Sequence, residues 1–205
     1  MAKIAPDTRT DILRTALQLF LQKGYKDVSY QDLVKQTGLS KGAIYHYFES
    51  KEVLLVAVFE FLMEAAQQPA LVEPENVVKD QESFLKLFID SKVAQINSFK
   101  QIMETDELKL NKLLFFMEAI NESEKLKQTI AELMKQEIAF LEDCFKGLKK
   151  HHKLPDGKDT ALLAESLYWM LQGGEMMAFF MQNNDWEEGA VKMYRKIIND
   201  FFKII

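Results

Sequence analysis

The sequence predicts an all-α protein, and three observations carry that expectation. Apolar residues recur at steps of three and four in one tract after another, the period of a helix with one buried face. Glycine and proline are scarce, at 8 and 4 of 205 residues, too few for a fold built on many tight turns. No run shows a persuasive alternation of apolar and polar residues, as a half-buried strand would. The expected organisation is a small three-helix domain over residues 1–50 and a larger helical domain over 51–205.

The first helix is expected at about Thr8–Lys23, from the spacing of Ile12, Leu13, Ala16, Leu19 and Phe20. Thr8 with Asp11 resembles a capping box, and Gly24 is placed to end the helix. Ser29 then reads as an N-cap with Asp32 at N3, and Val28 and Leu33 are spaced as a hydrophobic staple. That second helix runs to about Thr37 and stops at Gly38. Leu39, Ser40 and Ile44 repeat the same arrangement and open a third helix, about Lys41–Phe48. Ser50 caps a fourth through Val53, Leu54, Val58, Phe61 and Leu62. Pro69 and Pro74 mark residues 67–80 as a connector. Further helices are expected over Phe84–Phe99, Leu108–Ile120 and Leu126–Leu148. A loop follows at His151–Lys158, then a long helix from Asp159 to Met181. A turn at Asn183–Asp185 leads to a last helix through Val191, Tyr194, Ile198, Phe201 and Ile205.

Composition narrows the function. Hydrophobic residues at 48% and charged residues at 28% are globular values, and the chain is long enough to bury a core unaided. The lone cysteine, Cys144, gives no intrachain disulfide and no cysteine metal cluster; neither a metal nor another cofactor is expected. No apolar run approaches the ~18 residues of a transmembrane helix, and the N-terminus lacks a signal-peptide apolar region. The expected location is the cytoplasm, with no membrane partner. The net charge of −5 speaks against nucleic acid, but its distribution does not. Residues 1–52 carry 8 basic and 6 acidic side chains, the remainder 18 and 25. An enzyme is disfavoured: there is no GxSxG, no HExxH and no glycine loop to cradle phosphate. His151–His152 reads as solvated surface.

Two short helices joined through one glycine, behind a longer first helix, have helix-turn-helix geometry. Such a unit lays its second short helix in the DNA major groove. Ser40, Lys41, Gly42 and Ala43 supply small polar groups and a cation where that helix begins, and its amides favour phosphate. Tyr45 and Tyr47 can reach phosphates, with His46 between them, and Lys51 adds a cation. Tyr45 and Tyr47 cannot share one direction, so one of them can instead be core filler beside Phe48.

The run VSYQDLVKQTGLSKGAIYHYFESKEVL, preceded by ILRTALQLFLQKGY, resembles the N-terminal signature of the TetR family of bacterial transcriptional regulators over about residues 9–56. Val34 and Thr37 stand where that family commonly has alanines. The resemblance implies DNA contacts from Ser29, Ser40, Lys41, Gly42, Ala43, Tyr45, His46, Tyr47 and Lys51. Lys41 suits guanine acceptors and Ala43 a thymine methyl; Tyr30 and Gln31 are secondary candidates. It further implies a ligand-responsive regulator, a repressor, that binds palindromic double-stranded operator DNA as a homodimer. The larger domain would then bind a small-molecule effector and dimerise through its final two helices. The alternative is a helical interaction or ligand-binding module without sequence-specific DNA binding.

The helix at 159–181 is apolar nearly all round, so more than one of its sides must be covered. Gly173–Gly174 at its middle calls for a bend or a close approach. The stripe Val191, Tyr194, Ile198, Phe201 and Ile205 suits a bundle seam and is the expected dimer interface. The 15 Phe and 10 Met are either plain core or the lining of an adaptable apolar pocket. The candidate lining is Phe88, Met103, Phe116, Met117, Phe140, Trp169, Met176 and Phe180. Glu175 is the lone charge between Tyr168 and Met181, either a solvated carboxylate or a counter-charge for a cationic ligand.

Overall fold

The computed structural model describes residues 7–66, 73–103, 111–180 and 186–205, and every element among them is helical. In chain order these are α1 (Thr8–Lys23), α2 (Tyr30–Thr37), α3 (Lys41–Tyr47), α4 (Lys51–Ala66), α5 (Pro74–Val77), α6 (Gln81–Met103), α7 (Asn111–Glu122), α8 (Glu124–Lys150), α9 (Thr160–Phe180) and α10 (Trp186–Phe202). The chain divides into two compact units. One comprises residues 1–67 and 98–130, the other 68–97 and 131–205.

In the first unit, α1 packs against α2, α4 and α7, and α2 packs against α3. The predicted periodic residues of α1 are its buried ones: Ile12, Leu13, Ala16 and Phe20 are at most 1% exposed. Its cap is one residue earlier than expected, because the Asp7 carboxylate, rather than the Thr8 hydroxyl, accepts from the Arg9 N–H at 3.2 Å. An aspartate at N-cap gains in addition from the positive end of the helix dipole. Phe115 of α7 lies between Phe20 of α1 and Phe59 of α4, with ring centroids 6.1 and 6.4 Å away. Two polar contacts tie α7 to the turn after α1, and a third ties the start of α8 to α4. The Tyr25 N–H donates to Glu118 Oε2 at 2.6 Å, Lys26 pairs with Glu122 at 3.1 Å, and Lys125 with Glu60 at 2.6 Å.

The second unit is built on an apolar core from α6, α8, α9 and α10, centred on Phe84, Phe88, Phe145, Leu167, Tyr168, Tyr194, Ile198 and Phe201. The expected connector is interrupted by α5, a single turn with Pro74 at its start, where the missing N–H costs nothing. Its end lies hard against α8: a Cβ on Gly147 would stand 2.6 Å from the Val78 carbonyl oxygen. The two glycines of α9 face different ways. A Cβ on Gly174 would come within 2.6 Å of Ile197 and 2.9 Å of Met193 on α10, whereas Gly173 has nothing within 4 Å. The expected turn at Asn183–Asp185 lies outside the described residues.

The stripe assigned to a dimer seam turns inward. Tyr194, Ile198 and Phe201 are at most 5% exposed within their own chain, with Val191 and Ile205 packed at the edge of the core. Helical period identifies an apolar face but not the surface that covers it. The exposed apolar face belongs to α9, where Leu162, Trp169, Met170, Met176 and Met177 are 40–62% exposed.

Gly147→Ala is expected to lower stability by about 1–3 kcal/mol, since the methyl meets backbone that cannot rotate away. Urea unfolding followed by far-UV circular dichroism measures this. An unchanged midpoint would show that α5 shifts freely.

Candidate nucleic-acid interface

The geometry begins at two serine caps. Ser29 and Asp32 form a full capping box: the Asp32 N–H donates to Ser29 Oγ at 3.3 Å and the Ser29 N–H donates to Asp32 Oδ2 at 2.8 Å. Asp32 also receives the Lys23 ammonium at 2.6 Å. That hydrogen bond, followed by those from Ser29, holds the carboxyl well below its ordinary pKa. The second cap is Ser40, whose Oγ accepts the Ala43 N–H at 3.1 Å. Between the two helices, Gly38 adopts φ 70° and ψ 4°, the left-handed conformation that a Cβ disfavours. Its N–H closes α2 on the Val34 carbonyl at 2.9 Å.

The inner side of α3 is Ile44, wholly buried, followed by Phe48 at 2%. Burying the isoleucine alone is worth roughly 1.5–3 kcal/mol, which anchors so short a helix. The rest of α3 faces outward. Lys41, Gly42 and His46 are exposed, Ala43 is half-exposed, and Tyr45 and Tyr47 are 41% and 42% exposed, so neither tyrosine fills the core. A Cβ at Gly42 would meet only Ser40 Oγ, at 4.0 Å, so nothing within this chain demands a glycine there. Tyr45 stacks on Tyr30 with centroids 4.3 Å apart and rings 10° from parallel, and the Tyr30 hydroxyl donates to the Phe48 carbonyl at 3.1 Å. Lys41 Nζ lies 5.6 Å from the Tyr45 ring. Tyr47 stands edge-on to His46 at 5.5 Å.

Lys51 differs from the other candidates. Its ammonium donates to the Lys26 carbonyl at 3.0 Å and sits 4.4 Å above the Tyr25 ring. Partial burial lowers its pKa against the pull of nearby carboxylates. It braces α4 against the turn before α2, a task its place in the sequence does not disclose. Tyr30 has a similar bracing role. Its spacing of fifteen residues from Tyr45 gives no local signal of the stack.

The pocket candidates are scattered. Met117, in the first unit, is 54% exposed. In the second unit Phe88 is core, Phe140 packs against that core, and Trp169 and Met176 are at least half exposed. The side chains of Met103, Phe116 and Phe180 lie outside the described residues. Cys144 is buried, and burial pushes its thiol up to about 12, so it stays protonated and unreactive.

An exposed recognition helix, set by a left-handed glycine and capped at its start, defines a DNA-binding helix-turn-helix protein. Residues 12–58 match the profile of bacterial regulatory proteins of the tetR family. The chain is 50% identical over 50 residues to the HTH-type transcriptional regulator YuxN of Bacillus subtilis, a match spanning 24% of this chain and 17% of that protein's length. It is 26% identical over 195 residues to the transcriptional repressor NemR of Escherichia coli, covering 94% of each. Among solved structures, a transcriptional regulator from Saccharomonospora viridis shares the fold with a TM-score of 0.67 at 18% identity, over 97% of each chain. Residues 12–58 thus carry a DNA-binding segment of the tetR type, and over most of its length the chain is similar to a transcriptional repressor and shares the fold of solved regulators. No helix among the described residues is long and apolar enough to cross a membrane.

The Asp32 arrangement predicts a pH dependence. A carboxyl held low in the folded state adds stability that is present above its ordinary pKa of 3.8 and is lost as pH falls through the folded value. Asp32→Asn should therefore lower the urea midpoint at neutral pH, with the gap from wild type closing in increasingly acidic buffer. A gap that stays constant with pH would mean the charge contributes nothing.

Proposed function

We propose that the protein is a repressor that binds palindromic double-stranded DNA as a homodimer and is released by a small apolar or amphipathic effector. In this reading DNA contact is confined to residues 1–50 together with Lys51, and effector binding and dimerisation belong to 51–205, in the cytoplasm. The observation that carries it is the outward face of α3, Ser40–Tyr47, which offers a cation, two phenols, an imidazole and a bare glycine, with its inner side pinned by Ile44. Lys41 and Ala43 read base edges. Ser29, Ser40, Tyr45, His46 and Tyr47 hold phosphate, and Gly42 lets the DNA backbone approach. Tyr30 orients Tyr45 through the stack. Lys51 serves chiefly by holding the turn that aims α2.

The dimer seam in this reading is the outer face of α9 rather than the stripe on α10. Leu162, Trp169, Met170, Met176 and Met177 share one side of α9 and are all exposed, an apolar surface that calls for a partner. Gly173 on the same side has open space before it, which suits close approach of a second copy. Release by an effector works by shifting populations between two placements of α3. α7 is suited to transmit the shift, because Phe115, Glu118 and Glu122 grip α1, α4 and the turn at Gly24–Lys26. The Saccharomonospora viridis regulator was solved with choline and another structural relative, SmeT, with triclosan; both molecules fall within the size class proposed here.

Selection of genomic fragments followed by gel retardation tests the DNA reading. Two recognition helices should address half-sites about one helical turn, ~34 Å, apart. Lys41→Ala should cost about 1–3 kcal/mol and relax specificity at one position, whereas Tyr45→Phe should weaken all sequences alike. Affinity for the selected palindrome no better than for random DNA would refute the reading.

Trp169→Glu is expected to yield monomers in sedimentation velocity and to weaken palindrome binding, with the far-UV spectrum unchanged because that side chain is exposed in the protomer. Dimers that persist would place the seam elsewhere.

A further inference from the structure

Three helices of the second unit bring charge, and a fourth a phenol, into an otherwise apolar core. Lys92 of α6 donates to Glu137 Oε1 of α8 at 2.7 Å, with side-chain exposures of 14% and 37%. The hydroxyl of Tyr194, on α10, donates to Glu175 Oε1 of α9 at 2.5 Å. Tyr168 lies two helical turns before Glu175 on the same face of α9, and both tyrosines are nearly fully buried. The charges do not balance: one ammonium faces two carboxylates. Lys92 is already committed to Glu137, and among the described residues no cation stands within ion-pair distance of half-buried Glu175, whose only hydrogen-bond partner is a neutral phenol. The groups around it report the same excess. Burial, then Glu175, drives the Tyr194 phenol far up, and burial, then Glu137 and Glu175, pushes Tyr168 up to about 12. Lys92 is raised despite its burial, through Glu137 and then Glu175.

A half-buried carboxylate without a counter-ion costs free energy that a mid-helix glutamine would avoid. It is supplied with what an organic cation requires. Tyr194 donates to one oxygen only, Phe88 stands edge-on to Tyr194 at 5.4 Å, and Tyr168 precedes Glu175 by two turns on the same face of α9. Phe88 already carries the Lys92 ammonium 5.7 Å from its centroid, so this aromatic wall accepts positive charge.

We propose that Glu175 is the counter-charge of a ligand site in the second unit, and that the site takes an organic cation, a protonated amine or quaternary ammonium bearing an apolar group. The proposal rests on the reading that this part of the chain binds an effector, and it names that effector's chemical class. Lys92 and Glu137 neutralise one another beside the site, and Glu175 supplies the charge that selects the ligand.

Isothermal titration of the full chain with three probes sharing a phenyl ring tests this: benzyltrimethylammonium, benzyl alcohol and phenylacetate. The ammonium should bind at least tenfold tighter than the alcohol, and phenylacetate weakest. Glu175→Gln, which keeps the shape and an acceptor for Tyr194, should remove that tenfold preference and leave the alcohol unchanged. An ammonium no tighter than the alcohol in wild-type protein overturns the proposal whatever the variant does. So does a preference for phenylacetate, which would assign the site to Lys92, or an ammonium affinity unmoved by Glu175→Gln. Retardation of the selected palindrome in the presence of each probe separates the two readings. A cation that binds through Glu175 but leaves DNA affinity unchanged refutes the effector reading alone. Release by benzyl alcohol, with no cation preference, refutes this proposal alone.

Discussion

The backbone at Gly38 sets the direction in which α3 leaves α2. A left-handed residue reverses the chain in a single step, so the seven residues of α3 emerge with Ile44 inward and Lys41, Tyr45 and Tyr47 outward. Helices of seven and eight residues have little stability of their own, since nucleation costs more than so few hydrogen bonds return. They persist because each end is closed from outside: Ser29 and Asp32 at the start of α2, Gly38 at its end, Ser40 at the start of α3. The apolar residues Leu33, Ile44 and Phe48 then bury the pair against α1 and its neighbours. The exposed face can consequently hold residues chosen for contact rather than for stability.

That exposed face is organised by contacts remote in sequence. Tyr45 is not a free phenol on a helix but one member of a stack whose other member, Tyr30, is tied to the Phe48 carbonyl. Lys51 is spent on the Lys26 carbonyl and the Tyr25 ring. The same turn, at Gly24 and Tyr25, is gripped from behind by Glu118 of α7. The first unit thus joins the recognition helices to a helix more than sixty residues further on, through a carboxylate–amide hydrogen bond and a column of three phenylalanines.

The second unit shows the opposite economy. Most of its interior is aromatic and aliphatic, and its few charges are concentrated where α6, α8, α9 and α10 converge. Helix α9 shows why hydrophobicity alone is a poor guide to the partner. Ala164, Leu167, Tyr168 and Leu171 enter the core, while Leu162, Trp169, Met170 and Met176 point away from it. The neighbouring glycines divide in the same way: Gly174 admits Met193 and Ile197, and Gly173 opens on empty space.

Much of this was legible in the residues themselves, and for a local reason. Caps, staples and glycine stops act over three to five positions, so α1, α2 and α3 could be placed to within a residue or so, and the run around Ser40–Tyr47 stood out as a recognition helix. The class of the fold followed from periodicity. Tertiary structure decided what lies opposite each face. It turned Tyr194, Ile198 and Phe201 into the protomer's own core, gave Asp7 the cap expected of Thr8, put Tyr30 under Tyr45, and set Tyr194 on Glu175. None of these is encoded by spacing along one helix, because each depends on which distant segment arrives at that face. A sequence states the polarity and period of a surface, and only the packed chain states what meets it.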